Sequence, residues 1–115
     1  KTKGPTALIV PMRGWSAYDQ FAEEASIEKG WAKENGDGPV WWPDPDNPKW
    51  SRRATIMWDV LMKEWDRNNP NLDVMKCDNH ILDPEFADLL NMCMGDMLDK
   101  KWKKGLYREL KNVIE

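Results

Sequence analysis

Hydrophobic residues along the chain form short unbroken runs or rows with a helical period, which predicts strands alternating with helices. Residues 6–10 form an unbroken run rich in strand formers, and Pro5 and Pro11 limit it to the length of a strand. Because this run does not alternate with polar residues, it predicts a strand covered on both faces, as in parallel sheets. Leu72 and Val74 mark a second short strand.

The helical period is clearest in two segments after residue 50. Ser51 is a favourable N-cap residue for the first of them. The apolar residues that follow it have the spacing of one helix face, and they are Ala54, Met57, Trp58, Leu61, Met62 and Trp65. Asp83 followed by Pro84 predicts the start of the second helix. Its predicted buried face consists of Phe86, Leu89, Leu90, Cys93, Met94 and Met97.

Three further stretches have weaker patterns. Residues 17–33 predict a helix of weak periodicity, and residues 34–50 predict an ordered loop because they contain four Pro and three Trp. Residues 99–115 predict an additional C-terminal helix, since their apolar residues have helical spacing, although Gly105 interrupts it.

The resulting order of elements predicts an α/β fold with a parallel, Rossmann-like sheet and helices that flank few strands. Two strands alone make a poor sheet, so we expect the remaining strands to come from elsewhere. Their predicted source is an N-terminal domain of a longer protein or a second chain, with a homo-oligomer as one form of the latter.

Charge and cysteine content exclude several functional classes. The chain has 17 basic and 20 acidic residues, whereas a nucleic-acid-binding domain usually has a basic surplus on one face. It has no apolar run of about 18 residues that would predict a membrane span. Cys77 and Cys93 have neither a metal-ligand spacing nor a disulfide pattern, so we expect no metal site and a reducing, cytoplasmic location.

The loop after the first strand is the best candidate for a binding site. In open α/β sheets, ligands bind beyond the carboxyl ends of the strands. There, Arg13 is suited to bind a carboxylate or phosphate, Gly14 permits close approach of the backbone, and Ser16 offers a hydroxyl near a helix start. The alternative is a tight structural turn in which Arg13 pairs with Asp19 and Ser16 only caps the helix.

The loop after the second strand contains His80, which is the only histidine of the chain, and Asp83. At the same sheet edge, His80 would be placed to act as a general base or to bind a ligand. A structural histidine is the more common role for a lone His, and the sequence lacks the Gly-x-Ser-x-Gly motif of a nucleophile elbow. The loop with Trp41, Trp42 and Trp50 fits either a partner surface or, more often, a cover for the domain's own core.

Three segments together carry a resemblance to a known family. They are Pro-Met-Arg-Gly-Trp-Ser-Ala-Tyr-Asp at 11–19, Gly-Pro-Val-Trp-Trp-Pro at 38–43, and His-Ile-Leu-Asp-Pro-Glu-Phe-Ala at 80–87. In order and spacing they resemble the C-terminal part of the family named for the tomato mosaic virus resistance protein of tomato. Leu82 departs from the Asn that is usual in the third motif, and residues 99–115 extend beyond the resemblance.

The resemblance implies that residues 1–98 are the C-terminal α/β subdomain of a larger two-domain protein that binds ATP. We therefore expect a ligand-binding, nucleotide-binding domain with an anion-contacting loop formed by Arg13, Gly14, Trp15 and Ser16. Asp19, His80 and Asp83 complete the predicted ligand site. The tomato member acts by binding a viral replication protein, so a protein partner has a precedent.

Two other functional classes stay open. In the first class, the chain is an enzyme, such as a hydrolase or an isomerase, that uses Ser16 or His80. In the second class, it is a protein-interaction module. In the second class, the loop with Trp41, Trp42 and Trp50 would be the contact surface.

Overall fold

The computed structural model describes residues 3–16 and 42–114. The helix predicted over residues 17–33, together with Asp19 and Trp41, lies outside the described residues. Among the described residues, no helix has both the length and the apolar character that crossing a membrane requires.

The described chain forms three strands and two helices. They are β1 (Thr6–Pro11), α1 (Arg52–Glu64), β2 (Leu72–Cys77), α2 (Pro84–Leu98) and β3 (Val113–Ile114). The strands form one sheet in the order β1-β2-β3, in which β1 and β2 are parallel and β3 is antiparallel to β2. The predicted α/β class is therefore confirmed in its coarse form, with a parallel pair joined through a helix.

The two faces of the sheet pack against different helices. Met75 and Cys77 of β2 lie in a core cluster with residues of α2, and Ile9 of β1 packs against the same cluster. On the opposite face, Val10 packs with Ala54 of α1. The sheet thus lies between α1 on one side and α2 on the other.

Strand β1 is less covered than the sequence predicts. Thr6 pairs with Leu72 and the register continues in parallel to Pro11 and Cys77. Leu8, on the face of β1 that packs against α1, remains exposed. The prediction of a strand covered on both faces is therefore wrong at Leu8, because the cluster that includes α1 reaches Val10 and Met12 but not the start of the strand.

Helix α1 begins where the sequence predicts. Ser51 is the N-cap residue, but its side chain makes no capping hydrogen bond. Instead, Ser51 is fully buried and its N–H donates to the carbonyl of Met12 (2.8 Å). The start of α1 is thereby tied to the end of β1, and Ala54, Trp58 and Leu61 point into the core as predicted.

Helix α2 also begins at the predicted residues, with Asp83 as N-cap and Pro84 in the first turn. Phe86, Leu89 and Cys93 are buried, as expected. Leu90 and Met94, which the sequence also assigns to the buried face, are exposed. The apolar surface of α2 is thus wider than the single face that the sheet covers.

The predicted C-terminal helix over residues 99–115 is not formed in the described part, which has turns followed by β3. Lys100 and Gly105 have positive φ angles of 58° and 82°, which end a right-handed helix. The fully buried carboxylate of Asp73 accepts hydrogen bonds from the N–H of Gly105 (2.9 Å) and from the guanidinium of Arg108. This anchor holds the C-terminal segment against β2, where Tyr107 joins the core.

We predict that Arg108→Met destabilises the fold much more than Lys111→Met. The buried carboxylate of Asp73 has two described hydrogen-bond donors, and removal of the Arg108 guanidinium leaves only the N–H of Gly105. The expected loss is about 2–3 kcal/mol of unfolding free energy, below the usual cost of breaking a buried ion pair because one donor remains. Urea unfolding measures both variants. Equal, small losses would show that Asp73 does not anchor the C-terminal segment.

Candidate ligand site at the carboxyl ends of the parallel strands

The loops that follow β1 and β2 lie side by side and are joined through their backbones. The N–H of Arg13 donates to the carbonyl of Asn79, and the N–H of Ile81 donates to the carbonyl of Gly14, both at 3.0 Å. Parallel pairing of β1 with β2 places both loops at one edge of the sheet. We call residues 12–16 and 78–83 the loop pair.

Gly14 allows the first loop to turn back toward the second. Its φ of 127° is in a region that side-chain-bearing residues rarely adopt. In this conformation the N–H of Gly14 donates to the carbonyl of Pro11 (3.2 Å), while its own carbonyl accepts from Ile81. The glycine is therefore required by the turn itself, whether or not a ligand binds there.

Arg13 forms a two-pronged ion pair with Asp78. Its Nε lies 2.8 Å from Oδ1 of Asp78, and its Nη2 lies 3.2 Å from Oδ2. The indole Nε1–H of Trp50 donates to the same Oδ1 at 2.8 Å. The sequence alternative paired Arg13 with Asp19, which lies outside the described residues, whereas the structure shows Asp78 as a partner.

The ion pair is accessible to a ligand. The side chains of Arg13 and Asp78 retain 24% and 39% of their surface exposed. Hydrogen bonds from Arg13 lower the pKa of Asp78 below its ordinary value of 3.8; burial opposes this effect, and the bond from Trp50 adds to it. Asp78 is therefore a carboxylate at neutral pH, held by three donors from two other segments.

His80 joins the two loops through its ring. Nδ1 accepts a hydrogen bond from the N–H of Leu82 (3.0 Å), and Nε2 lies 2.8 Å from the backbone carbonyl of Ser16. Since a carbonyl can only accept, Nε2 is the donor in this contact. Nε2 therefore connects the two loops, whereas Nδ1 stabilises the second loop.

The described contact between Ser16 and His80 is not that of a nucleophile and its base. The contact of His80 is with the backbone carbonyl of Ser16, whereas activation of a serine requires a hydrogen bond to its hydroxyl. The two residues are adjacent, as the sequence suggests, but their described contact is structural.

Asp83 closes the second loop. Its carboxylate accepts a hydrogen bond from the N–H of His80 (2.8 Å), and its own N–H donates to the carbonyl of His80 (2.9 Å). Asp83 thus stabilises the turn that presents His80 and also serves as the N-cap residue of α2. Its described contacts support the second loop, and its predicted contact with a ligand stays a prediction.

Asn79 anchors the second loop to α2 and to the segment before β3. It is buried, its amide nitrogen donates to Glu85 (3.3 Å), and its amide oxygen accepts from Asn112 (2.9 Å). The N–H of Asp78 donates to the carbonyl of Asn112 (2.8 Å). The segment before β3 therefore fixes the loop that carries the ion pair.

A groove of about 220 Å³ lies beside this anchor, between α2 and the C-terminal segment. Its lining includes Glu85 and Asn112, and both of these residues contact Asn79. The groove is therefore next to the loop pair, on the side of the sheet that α2 covers.

The tryptophan-rich loop is ordered around a second carboxylate. Asp44 is buried and accepts hydrogen bonds from Thr55 (2.9 Å) and Arg52 (3.3 Å) and from two backbone N–H groups of its own turn. Burial raises its pKa, but these hydrogen bonds outweigh that effect and lower it below 3.8. Asp44 thereby fastens the loop to the first turn of α1.

The two described tryptophans of this loop have different surroundings. Trp50 packs against the cluster of Val10, Met12 and Ala54 and reaches Asp78, as a cover for the core would. Trp42 is 49% exposed, and its ring centre lies 5.9 Å from the guanidinium carbon of Arg53.

Lys76 reinforces the position of Trp50. Its Nζ lies 5.3 Å from the ring centre of Trp50 and 5.2 Å from that of Trp58. A cation between two aromatic faces attracts both rings. The indole that binds Asp78 is thus held by β2 and α1 together.

The described residues offer neither a metal cluster nor an activated thiol. Within residues 3–16 and 42–114, no group of three or more His, Cys, Asp and Glu side chains is arranged to hold a metal ion. Burial raises the pKa of the Cys77 thiol to about 12, so it stays protonated at neutral pH.

The sequence analysis names Arg13, Gly14, Ser16, His80 and Asp83, which the structure brings together in the loop pair, but it does not name Asp78 or Trp50 as part of the site. Asp78 directly follows Cys77 at the end of β2, and Arg13 lies two residues after Pro11 at the end of β1. Opposite charges just after both strands were a signal for their pairing. Nothing in the local sequence around Trp50 indicates that its indole reaches this loop.

Comparison of the chain with family models, curated proteins and solved structures finds no match. The resemblance to the tomato resistance protein family therefore stays a prediction.

We predict that Gly14→Ala destabilises the fold by about 1–3 kcal/mol, because a side-chain-bearing residue is strained at this φ. Gly4→Ala is the matched control, since a Cβ at Gly4 meets nothing within 4 Å. Thermal unfolding distinguishes the two variants. Similar melting temperatures would mean that the first loop adopts another conformation.

We also predict that the Arg13–Asp78 pair makes stability depend on acid pH. Because the folded pKa of Asp78 lies below 3.8, its contribution is complete above that pH and is lost as the pH falls further, through the folded pKa. As the pH falls below 3.8, Asp78→Asn should therefore lose less unfolding free energy than wild type, as measured in urea. Arg13→Met should flatten the profile similarly. An unchanged profile in both variants would contradict the pairing.

Proposed function

We propose that this chain is a ligand-binding α/β domain whose loop pair recognises the anionic group of a nucleotide such as ATP. The observation that carries the proposal is the accessible Arg13–Asp78 pair at the carboxyl ends of two parallel strands. This is the edge where open α/β sheets bind ligands. The loop pair holds the guanidinium at that edge through backbone hydrogen bonds on both sides.

Asp78 determines how an anion reaches Arg13. Two guanidinium nitrogens already bind this carboxylate, so a ligand phosphate or carboxylate must displace Asp78 or share its donors. An incoming anion at the position of Asp78 would meet Nε and Nη2 of Arg13 and the indole N–H of Trp50. Charge-assisted hydrogen bonds of this kind favour anions with two oxygens.

The proposal includes the Rossmann-like arrangement and the larger two-domain protein. In the described sheet β1 is an outer strand, and Leu8 on its α1-side face is exposed. Further strands beside β1, from another part of a longer protein, would cover Leu8 and place the loop pair inside a cleft. The second wall of the nucleotide site would then be supplied by that part.

The enzyme alternative receives less support from the geometry. His80 contacts the backbone carbonyl of Ser16 through Nε2, and its Nδ1 accepts from Leu82 within its own loop. For the interaction-module alternative, the exposed Trp42 beside Arg53 is a supporting observation, whereas the packing of Trp50 into the core speaks against a continuous tryptophan surface.

Calorimetric titration of the chain with ATP and with inorganic tripolyphosphate tests the proposal. We predict that Arg13→Met weakens binding of both by about 10- to 100-fold, the loss expected for charge-assisted hydrogen bonds. Asp78→Asn should strengthen binding because the competing carboxylate is neutral.

Arg67→Met is the control, because this exposed arginine bonds the backbone of Met62, away from the loop pair. It should leave affinity unchanged. An unaltered affinity in Arg13→Met, or the absence of saturable binding in wild type, would contradict the proposal.

A further inference from the structure

Among the tryptophans in the described part of the chain, only Trp15 and Trp42 are exposed. Trp15 belongs to the loop pair and is 38% exposed, whereas Trp42 belongs to the tryptophan-rich loop and is 49% exposed. The others are at least partly buried, and they are Trp50, Trp58, Trp65 and Trp102. An indole is mostly apolar and is usually covered by protein, so an exposed one beside a ligand site is a candidate to cover the ligand.

Backbone hydrogen bonds bring Trp42 to the edge of the sheet that carries the loop pair. The N–H of Ser51 donates to the carbonyl of Met12 (2.8 Å), and the N–H of Arg52 donates to the carbonyl of Trp42 (2.7 Å). Consecutive Cα atoms are about 3.8 Å apart and those of hydrogen-bonded residues about 5.5 Å, so the Cα atoms of Trp42 and Arg13 lie within roughly 19 Å. Trp42 and the loop pair therefore share one edge of the sheet.

Two cations near Trp42 and the loop pair favour an anionic ligand along this edge. Hydrogen bonds from Arg13 are the largest cause of the lowered pKa of Asp78, and the charge of nearby Lys49 adds to it. At the other end, the guanidinium carbon of Arg53 lies 5.9 Å from the ring centre of Trp42. A phosphate chain that runs from Arg13 toward Trp42 would therefore lie between positively charged groups, which stabilise it.

Trp42 suits the base of a nucleoside triphosphate better than Trp15 does. The guanidinium of Arg53 attracts the indole and favours one ring position, while nearly half of the Trp42 surface stays open. Trp15 is only two residues from Arg13. Because three phosphate groups and a ribose separate the base of ATP from a terminal phosphate bound at Arg13, the base of an extended ATP lies beyond Trp15.

We propose that Trp42 is the nucleobase platform of this site, so that a nucleoside triphosphate binds with its terminal phosphate at Arg13 and its base stacked on the indole of Trp42. The inference rests on the proposed function and adds a specificity to it. Every nucleobase has an aromatic face that can stack on an indole. The preferred ligand is therefore a nucleotide, and a free polyphosphate lacks one of the contacts that the site offers.

Calorimetric titration of the full chain with ATP and with inorganic tripolyphosphate separates the base from the phosphates, because tripolyphosphate has no base. Trp42→Leu should weaken ATP binding about 5- to 100-fold, the loss expected when one base no longer stacks on an aromatic side chain. It should leave tripolyphosphate binding unchanged, and this retained binding also shows that the variant folds. Trp42→Phe keeps an aromatic face and should retain most of the affinity for ATP.

Val60→Ala is the control for loss of exposed apolar surface. Val60 is 55% exposed on α1, and its substitution should leave the affinities for both ligands unchanged. A Val60→Ala variant that weakens ATP binding as much as Trp42→Leu does would overturn the assignment of the base to Trp42.

The proposed function and the base platform fail in different ways. If wild type binds neither ATP nor tripolyphosphate, both proposals are overturned. If Arg13→Met weakens binding of both ligands but Trp42→Leu weakens neither, or weakens both equally, the phosphate site stands and the base platform is overturned. Selective loss of ATP binding in Trp15→Leu but not in Trp42→Leu would place the base at Trp15 and would also overturn it.

Discussion

The parallel pairing of β1 with β2 is the constraint on which the rest of the structure depends. It runs in register from Thr6 and Leu72 to Pro11 and Cys77, so both strands end at the same level. The loops that follow these ends therefore lie side by side, and their backbone N–H and carbonyl groups form hydrogen bonds with each other. Arg13 and Asp78, far apart in sequence, become partners because each lies within two residues of the end of its strand.

Several groups that look chemically active are used to hold this arrangement. The ring of His80 connects the two loops, the carboxylate of Asp83 closes the second, and buried Asn79 is fixed from two sides. Burial of His80 and Asn79 is tolerated because each has hydrogen-bond partners. The Arg13–Asp78 pair differs from them, since it is partly exposed and faces the edge at which a ligand would bind.

Sequence patterns predicted the elements whose signals are local. The β1 run, the starts of α1 and α2, and the position of β2 follow from strand formers, N-cap residues and the Asp-Pro pair. Residues 99–114 could not be predicted in this way. Their helical spacing reflects apolar residues that reach the core from turns, and the turns are held by Asp73 on β2, which is distant in sequence.

The candidate site was predictable in location but not in its contacts. Ligands of open α/β sheets generally bind at the carboxyl ends of parallel strands, and this rule predicts a site at Arg13 and His80. The partner of Arg13 depended on the register of the sheet, and the contribution of Trp50 depended on how the Asp44 loop is fastened to α1. Such contacts join three or more segments, and no local pattern encodes them.

Heteronuclear NMR of the chain during titration with ATP tests the central claim most directly. Trp50 donates its indole N–H to Asp78, and Arg13 donates its Nε–H to the same carboxylate. If a ligand anion displaces Asp78 at the loop pair, both of these resonances shift together and saturate at the same ATP concentration. If ATP shifts other resonances while the Trp50 indole and the Arg13 Nε–H stay in place, the loop pair is a structural joint and not the binding site.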